Sequence, residues 1–322
     1  MRRVLITGGS GFIGTNLVGY FSHEGIPVLN VDLLEPRNRA HSSLWKRVNV
    51  VDRVALARAL QVFEPTDVVH LAARTDVDER AGLQGYAANT AGVESLLAAL
   101  AATSSVQRVI FASSMLVSTV GYRPRHEQDY RPSTVYGQSK VIGERLIRAA
   151  SSDHYTWTIV RPTSIWGPWF GEPYRSFFEM VACGGFACPA GRAATKTFGY
   201  VGNTVHQLAQ LLVADPCRVQ GQTFYLGDAP PLDIAVWAKA IAEELGVRQP
   251  RRLPFAVFLA VATVGDIVSR IGLAFPMTSF RLRNMITDNV VDLSATEAVV
   301  GPGPFGLRTG IRETILWLRR QA

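Results

Sequence analysis

The first half of the chain repeats one pattern: a short, β-branched apolar run, then a longer stretch with apolar residues every three or four positions. The runs are RRVLITG, PVLNVD, RVNVVD, DVVHLAA, QRVIFASS and TWTIVRP, and the longer stretches include FIGTNLVGYFSHEG and GVESLLAALAAT. Strand and helix alternating in this way predict parallel strands joined by crossover helices. Right-handed crossovers place those helices on both faces of one sheet. The expected fold class is α/β, a Rossmann-like doubly wound parallel sheet.

After VRP the texture changes. TSIWGPWFGEPYRSFF is rich in glycine, proline and aromatics, and predicts loops that open a second, smaller lobe. NTVHQLAQLLVA and QTFYLGD then predict a helix and a strand returning to the main sheet, and GIRETILWLRR a last amphipathic helix. The expected division is a dinucleotide-binding domain of 1–163 and 199–226, with a C-terminal substrate-binding lobe of 164–198 and 227–322. The longest apolar stretch, PFAVFLAVATVGDIV at 254–268, is interrupted by Asp266 and falls short of the roughly 18 residues that span a bilayer. It predicts a buried helix, with contact to a membrane surface as the alternative. No transmembrane segment is expected. MRRVLITGG has too few apolar residues before its glycines for a signal sequence, so the expected location is the cytoplasm.

Hydrophobic residues make up 48% and charged residues 18%, which suits a globular protein with a sizeable core. Cys183, Cys188 and Cys217 have no metal-ligand spacing, so no metal is expected and the thiols read as structural. The net charge of +7 points to an anionic partner. The arginines are dispersed and no nucleic-acid-binding motif is present, so the expectation is a small phosphate-bearing ligand rather than a nucleic acid.

The chemistry concentrates in two segments. In VLITGGSGFIGTNL a strand runs into Gly8, Gly9, Gly11 and Gly14 and a helix follows; the spacing reads as Gly-x-Gly-x-x-Gly from Gly9 or Gly-x-x-Gly-x-x-Gly from Gly8. Glycines allow a tight turn and close approach of backbone to a pyrophosphate, while the helix N-terminus attracts its charge. Asp32 ends the second strand 18 residues beyond Gly14, where a carboxylate bonds the adenosine ribose hydroxyls. A carboxylate there repels the 2′-phosphate of NADP, so NAD is the expected cofactor; Arg37 and Arg39 read as solvated loop residues. In TVYGQSK, Tyr136 and Lys140 stand four apart, and on a helix they project from one face.

Together these segments resemble the extended short-chain dehydrogenase/reductase family, in its NAD-dependent epimerase/dehydratase branch. TGGSGFIG looks like the family's glycine motif, HLAA at 70–73 its fourth-strand motif, YGQSK its Tyr-x-x-x-Lys pair and VRPTSIWGP its Arg-Pro segment, covering nearly the whole chain. The resemblance implies that Tyr136 is the acid/base. Lys140 would favour its phenolate, lowering a phenol pKa from about 10 toward working pH, and would hold the nicotinamide ribose. A third hydroxyl should follow the fifth strand: FASSMLVSTVGY offers Ser113, Ser114, Ser118 and Thr119. Aligning Phe111 with the strand end favours Ser114, with Ser113 nearer the nicotinamide.

The same resemblance implies cofactor contacts from Gly8, Gly11, Phe12, Ile13 and Gly14 in the turn, and from Asp52, with Val51 before it, at the adenine. It adds Ala72 and Ala73 at the ribose and pyrophosphate, Asn89 near the strand ends, and Thr163 after the Arg-Pro dipeptide; each is otherwise ordinary turn or helix chemistry. His70 and His206 stand where the family needs no histidine and read as packing residues. Trp166 and Trp169 either line a substrate pocket or pack the second lobe.

Departures from the family pattern narrow the activity. Its dehydratases carry an Asp-Glu pair where Met115 and Leu116 stand, so dehydration is not expected. Many nucleotide-sugar epimerases have asparagine at the place of Ser164 and Val-Asp-Asp where YVGNTV stands at 200–205, a version closer to hydroxysteroid dehydrogenase-like relatives. The leading expectation is an NAD-dependent epimerase of a nucleotide-activated sugar, a sugar 4-epimerase. The alternative is an NAD(P)-dependent dehydrogenase or ketoreductase of a hydroxysteroid-like or lipid-linked substrate, and a non-catalytic dinucleotide sensor is a third. The resemblance also implies a homodimer.

Overall fold

Strands β1 (Val4–Thr7) and β4 (Asp67–His70) are buried along their whole length, because both faces of the sheet they share are covered by helices. The computed structural model describes residues 1–322 apart from 78–81, 151, 192–193, 271, 274, 276 and 322. The remaining strands of that sheet are β2 (Val28–Asp32), β3 (Trp45–Arg47), β5 (Arg108–Ala112), β6 (Thr156–Pro162) and β7 (Thr223–Leu226). Their order is β7-β6-β5-β4-β1-β2-β3 and every neighbouring pair is parallel. The order reverses between β1 and β4, which opens a crevice at the carboxyl ends of the strands.

Alternation along β1 divides the core. Leu5 faces one way, into a cluster with Val31, Val68, Leu96 and Phe111, under helices α2 (Arg53–Phe63) and α3 (Ala91–Ala101). Val4 and Ile6 face the other way, against Leu17 and Phe21 of α1 (Phe12–His23) and Leu208 of the helix Val201–Val213. Helix α4 (Val135–Ala149) starts where Thr134 accepts the Gly137 N–H at 3.0 Å, satisfying one of the donors a helix start leaves without a partner.

Three elements differ from the sequence reading. RVNVVD contributes only its first residue to β3; Val48 still bonds the Asp32 carbonyl, but Asn49 then takes the Val51 N–H in a side-chain turn and Asp52 caps α2. TSIWGPWFGEPYRSFF is more regular than expected, holding the strand Ser164–Trp166 and the start of helix Tyr174–Ala182. Its aromatics condense around Trp237, with Trp166 and Phe178 at 5.1 and 5.8 Å between ring centroids, and Ile311 and Ile315 of the last helix, Leu307–Arg319, close this third core. The third difference corrects the buried helix expected at 254–268. Helix Phe255–Arg270 packs on one side only, through Phe258 and Ala262 against Leu282 of the helix Ser279–Ile286. Among the described residues no helix is long and apolar enough to cross a membrane.

An ion pair joins α4 to the sheet from inside. Arg161 of β6 donates from Nε and Nη2 to the two oxygens of Glu144 at 2.8 and 2.7 Å, with both side chains at most 1% exposed. Ser113 and Tyr130 donate their hydroxyls to the same carboxylate at 2.5 and 2.8 Å, so its desolvation is offset on all sides. Replacing Arg161 with leucine is expected to destabilise the fold by about 3 to 5 kcal/mol, the penalty for leaving a buried carboxylate without its cation, measured by urea denaturation. A second buried group sets an acid limit. His70, at the end of β4, is held neutral by burial and by the Lys140 charge, its pKa lowered to about 3, and its Nδ1 bonds the Thr7 hydroxyl at 2.7 Å. An unfolded chain binds that proton at about pH 6.5, so stability is complete above pH 6.5 and falls as the pH drops from there toward 3. His70→Gln is expected to flatten this part of the melting temperature against pH profile, read by thermal melts.

Candidate active site

The crevice begins at the glycine turn. Gly8 has φ +74°, and a Cβ there would lie 2.5 Å from the Ala72 nitrogen, so β1 leaves the sheet pressed against the exit of β4. At Gly14 a Cβ would lie 2.2 Å from the Gly8 carbonyl oxygen, which is why α1 can pack directly on the turn. Gly11 is the N-cap of α1 and brings no side chain, leaving the first-turn N–H groups, Phe12 and Ile13 among them, uncapped by any side chain. That is a cradle for an anion.

Asp32 flanks the cradle. Its Oδ2 accepts the Ser10 N–H and its Oδ1 the Leu34 N–H, each at 3.0 Å, which pins the carboxylate between the turn and the end of β2. A carboxylate has about four acceptor positions, so two remain for ribose hydroxyls. Arg37 sends its guanidinium to the Trp169 carbonyl at 2.6 Å, a more specific placement than a solvated loop arginine. Val51 and Asp52 stand exposed before α2, and Asp52 accepts the Ala55 N–H at 3.0 Å while one carboxylate oxygen stays open. The uncapped helix start, the glycine contacts and the tied carboxylate fit a dinucleotide.

Asn89 holds the floor beyond Ala72 and Ala73. It accepts the Arg74 N–H at 2.8 Å and donates to the Arg74 carbonyl and the Ser139 hydroxyl at 3.0 and 2.9 Å, so its amide locks the loop after β4 onto α4. Thr163 donates to the Leu226 carbonyl at 2.8 Å, joining the ends of β6 and β7. Ser113 is taken up by Glu144, as described above. These three hydroxyl and amide groups are engaged within the protein.

Ser114, Tyr136 and Lys140 come together. Tyr136, 7% exposed, lies beside the Ser114 hydroxyl, which pulls the phenol pKa down against burial and itself accepts the Leu116 N–H at 3.1 Å. Of the four hydroxyls offered after the fifth strand, that of Ser114 is the one that acts on the phenol. Lys140 lies one turn on, its Nζ donating to the Ala112 carbonyl at the end of β5 at 2.9 Å. The electrostatics differ from the expected lysine-lowered phenol. Burial pushes Tyr136 up to about 12, with Ser114 pulling the other way and the Tyr86 phenol adding to the rise. Burial likewise brings Lys140 down to about 8, opposed by Glu144. In this geometry the phenol is the proton-bearing partner, and the ammonium is directed at the Ala112 carbonyl.

Sequence reasoning missed Tyr86 and Glu144. Tyr86 is fully buried, its ring 6.0 Å from that of Tyr136 and its hydroxyl donating to the Asp76 carbonyl at 2.6 Å. Glu144 lies at the next four-residue step after Tyr136 and Lys140, a spacing that could have marked it as part of the same face. His70 lies in the core, as expected, and Trp166 packs the third core at 1% exposure. Trp169 packs at 5.7 Å between ring centroids against Trp317, the rings tilted by 55°.

Comparison with known proteins agrees with this geometry. Residues 4–183 match the family model described as NAD dependent epimerase/dehydratase family. A 3 beta-hydroxysteroid dehydrogenase/Delta 5-->4-isomerase of Mycobacterium tuberculosis is 28% identical over 265 residues, 78% of this chain and 71% of that protein. N-acetyl-alpha-D-glucosaminyl-diphospho-ditrans,octacis-undecaprenol 4-epimerase of Escherichia coli O157:H7 is 25% identical over 97% of this chain and 94% of its own. Among solved structures, UDP-glucose 4-epimerase of Thermotoga maritima with UDP-glucose superposes with a TM-score of 0.76 at 20% identity, covering 99% of each chain, a likeness of fold. The chain belongs to the NAD dependent epimerase/dehydratase family and is an NAD-dependent enzyme.

Proposed function

We propose that the enzyme is a 4-epimerase of a sugar joined to a diphosphate, with nucleotide-activated sugars as the first substrates to test. The observation that carries this reading is the buried Tyr136 phenol, beside Ser114 and one turn from Lys140, with Met115 and Leu116 after Ser114 instead of an acid pair. Such a site moves one proton at one oxygen, and Met115 and Leu116 supply no acid for eliminating water. The 4-epimerase relative that matches almost end to end supports the choice over net oxidation.

When bound, NAD supplies the hydride acceptor and donor and a positive ring, a charge that favours the phenolate. Tyr136 takes the proton of the sugar hydroxyl and returns it to the same oxygen. Ser114 holds that oxygen and steadies the phenolate. Lys140, a cation below about pH 8, supplies a neighbouring positive charge and a donor for a ribose hydroxyl. Gly8, Gly11 and Gly14 give the pyrophosphate its close approach, and Asp32 receives the adenosine ribose.

A second reading, a dehydrogenase or ketoreductase of an apolar alcohol, is favoured by Ser164. It brings no amide for a substrate phosphate, and its hydroxyl acts instead on the partly buried Tyr174 phenol, lowering a pKa that burial raises. The two separate in one assay. With candidate UDP- and GDP-sugars, the epimerase converts substrate with no cofactor added beyond what it carries, followed by proton NMR; turnover only with stoichiometric NAD(P) would replace the leading reading with the second. Tyr136→Phe is expected to lower turnover by roughly 10²- to 10⁴-fold, read from initial rates, with the melting temperature close to that of the parent.

A further inference from the structure

Helix Phe255–Arg270 is apolar nearly all round, yet only one side of it is covered. Phe258 and Ala262 face Leu282, while Val257, Leu259, Val261, Val264 and Ile267 are 39 to 58% exposed. At 3.6 residues per turn, Ala256, Ile267, Ala260, Val264, Val257, Val268 and Val261 fall within about 140° of the helix circumference, and none is charged or polar. A surface helix ordinarily turns a polar face outward. Its one acid is turned toward the packed side, where Asp266 Oδ1 accepts the Ser279 N–H at 3.0 Å.

The rim carries the opposite chemistry. Between 248 and 283 the chain has six arginines and a single acid, Asp266, so this stretch holds most of the net +7. Arg248, Arg251 and Arg252 are exposed just before the helix, and Arg281 and Arg283 are exposed on the helix packed against it. An apolar stripe bordered by arginines is complementary to a surface with an oily interior and anionic headgroups. A second copy of the chain fits less well, because a two-fold contact would set the same arginines against each other. Sixteen residues cannot span a bilayer, so the helix would lie in its plane.

We infer that helix Phe255–Arg270 and its arginine rim form a docking face for an anionic lipid bilayer. The face goes beyond the proposed reaction and does not depend on it, since its test reads binding and not turnover. The test is cosedimentation of the full chain with vesicles of phosphatidylcholine alone or mixed with phosphatidylglycerol, at low and high salt. The protein should sediment with the phosphatidylglycerol vesicles at low salt, and more weakly with phosphatidylcholine or at high salt. Val264→Asp with Ile267→Asp, both at exposed positions, should abolish sedimentation while circular dichroism and the melting temperature match the parent. Arg251→Gln and Arg252→Gln should each weaken it roughly fivefold. Equal sedimentation of the aspartate variant and the parent, or none by either, would overturn the inference. So would a dimer on size exclusion that Val264→Asp dissolves while vesicles capture nothing.

Discussion

The carboxylate of Glu144 is the point from which the face of α4 that carries Tyr136 and Lys140 is positioned. It receives Arg161 from β6, Ser113 from the end of β5 and Tyr130 from the loop before α4, so three parts of the chain converge on one buried charge. A helix packed on a sheet by apolar contacts alone can slide or rotate with little penalty, whereas a bidentate pair fixes both. The fixed helix carries Tyr136 two turns before Glu144 and Lys140 one turn before it. Arg161 extends the same network through Nη2 to the Glu127 carbonyl at 2.6 Å and through Nη1 to Tyr225 at 3.2 Å, reaching the edge strand β7.

Much of this was legible in the sequence. Alternating periodicity gave the parallel sheet, and the glycine spacing with Asp32 gave the crevice, because these features rest on steric rules that act locally. The face shared by Tyr136 and Lys140 followed from helix geometry alone. What stayed hidden depended on distant partners. Glu144 reads as a solvated charge until Arg161, 17 residues on, is known to meet it. Asn89 and Thr163 look like ligand contacts until their amide and hydroxyl are found bonded to Arg74, Ser139 and Leu226. The helix at 255–270 defeated hydropathy for another reason: apolar content says that a segment avoids water, and leaves open what covers it.

The phenol and the ammonium teach a similar lesson about burial. Both lie under the surface, and desolvation acts on them in opposite directions, raising the acid that must lose charge-free status and lowering the base that must keep its charge. A site dry enough to keep water from a reactive oxygen therefore holds its proton by default. The Ser114 hydroxyl and an added positive charge work against that default, so the site becomes basic only as its positive neighbours assemble.

Arg37 joins the loop after Asp32 to the Trp169 carbonyl, and Asn16 of α1 reaches the adjoining Pro168 carbonyl at 3.0 Å. The two banks of the crevice are thus riveted across the gap by side chains of the first βαβ unit. Anyone redesigning the loop after β2 to accept a different dinucleotide would also be loosening the Pro168–Trp169 segment that this loop holds, so the two must be engineered as one.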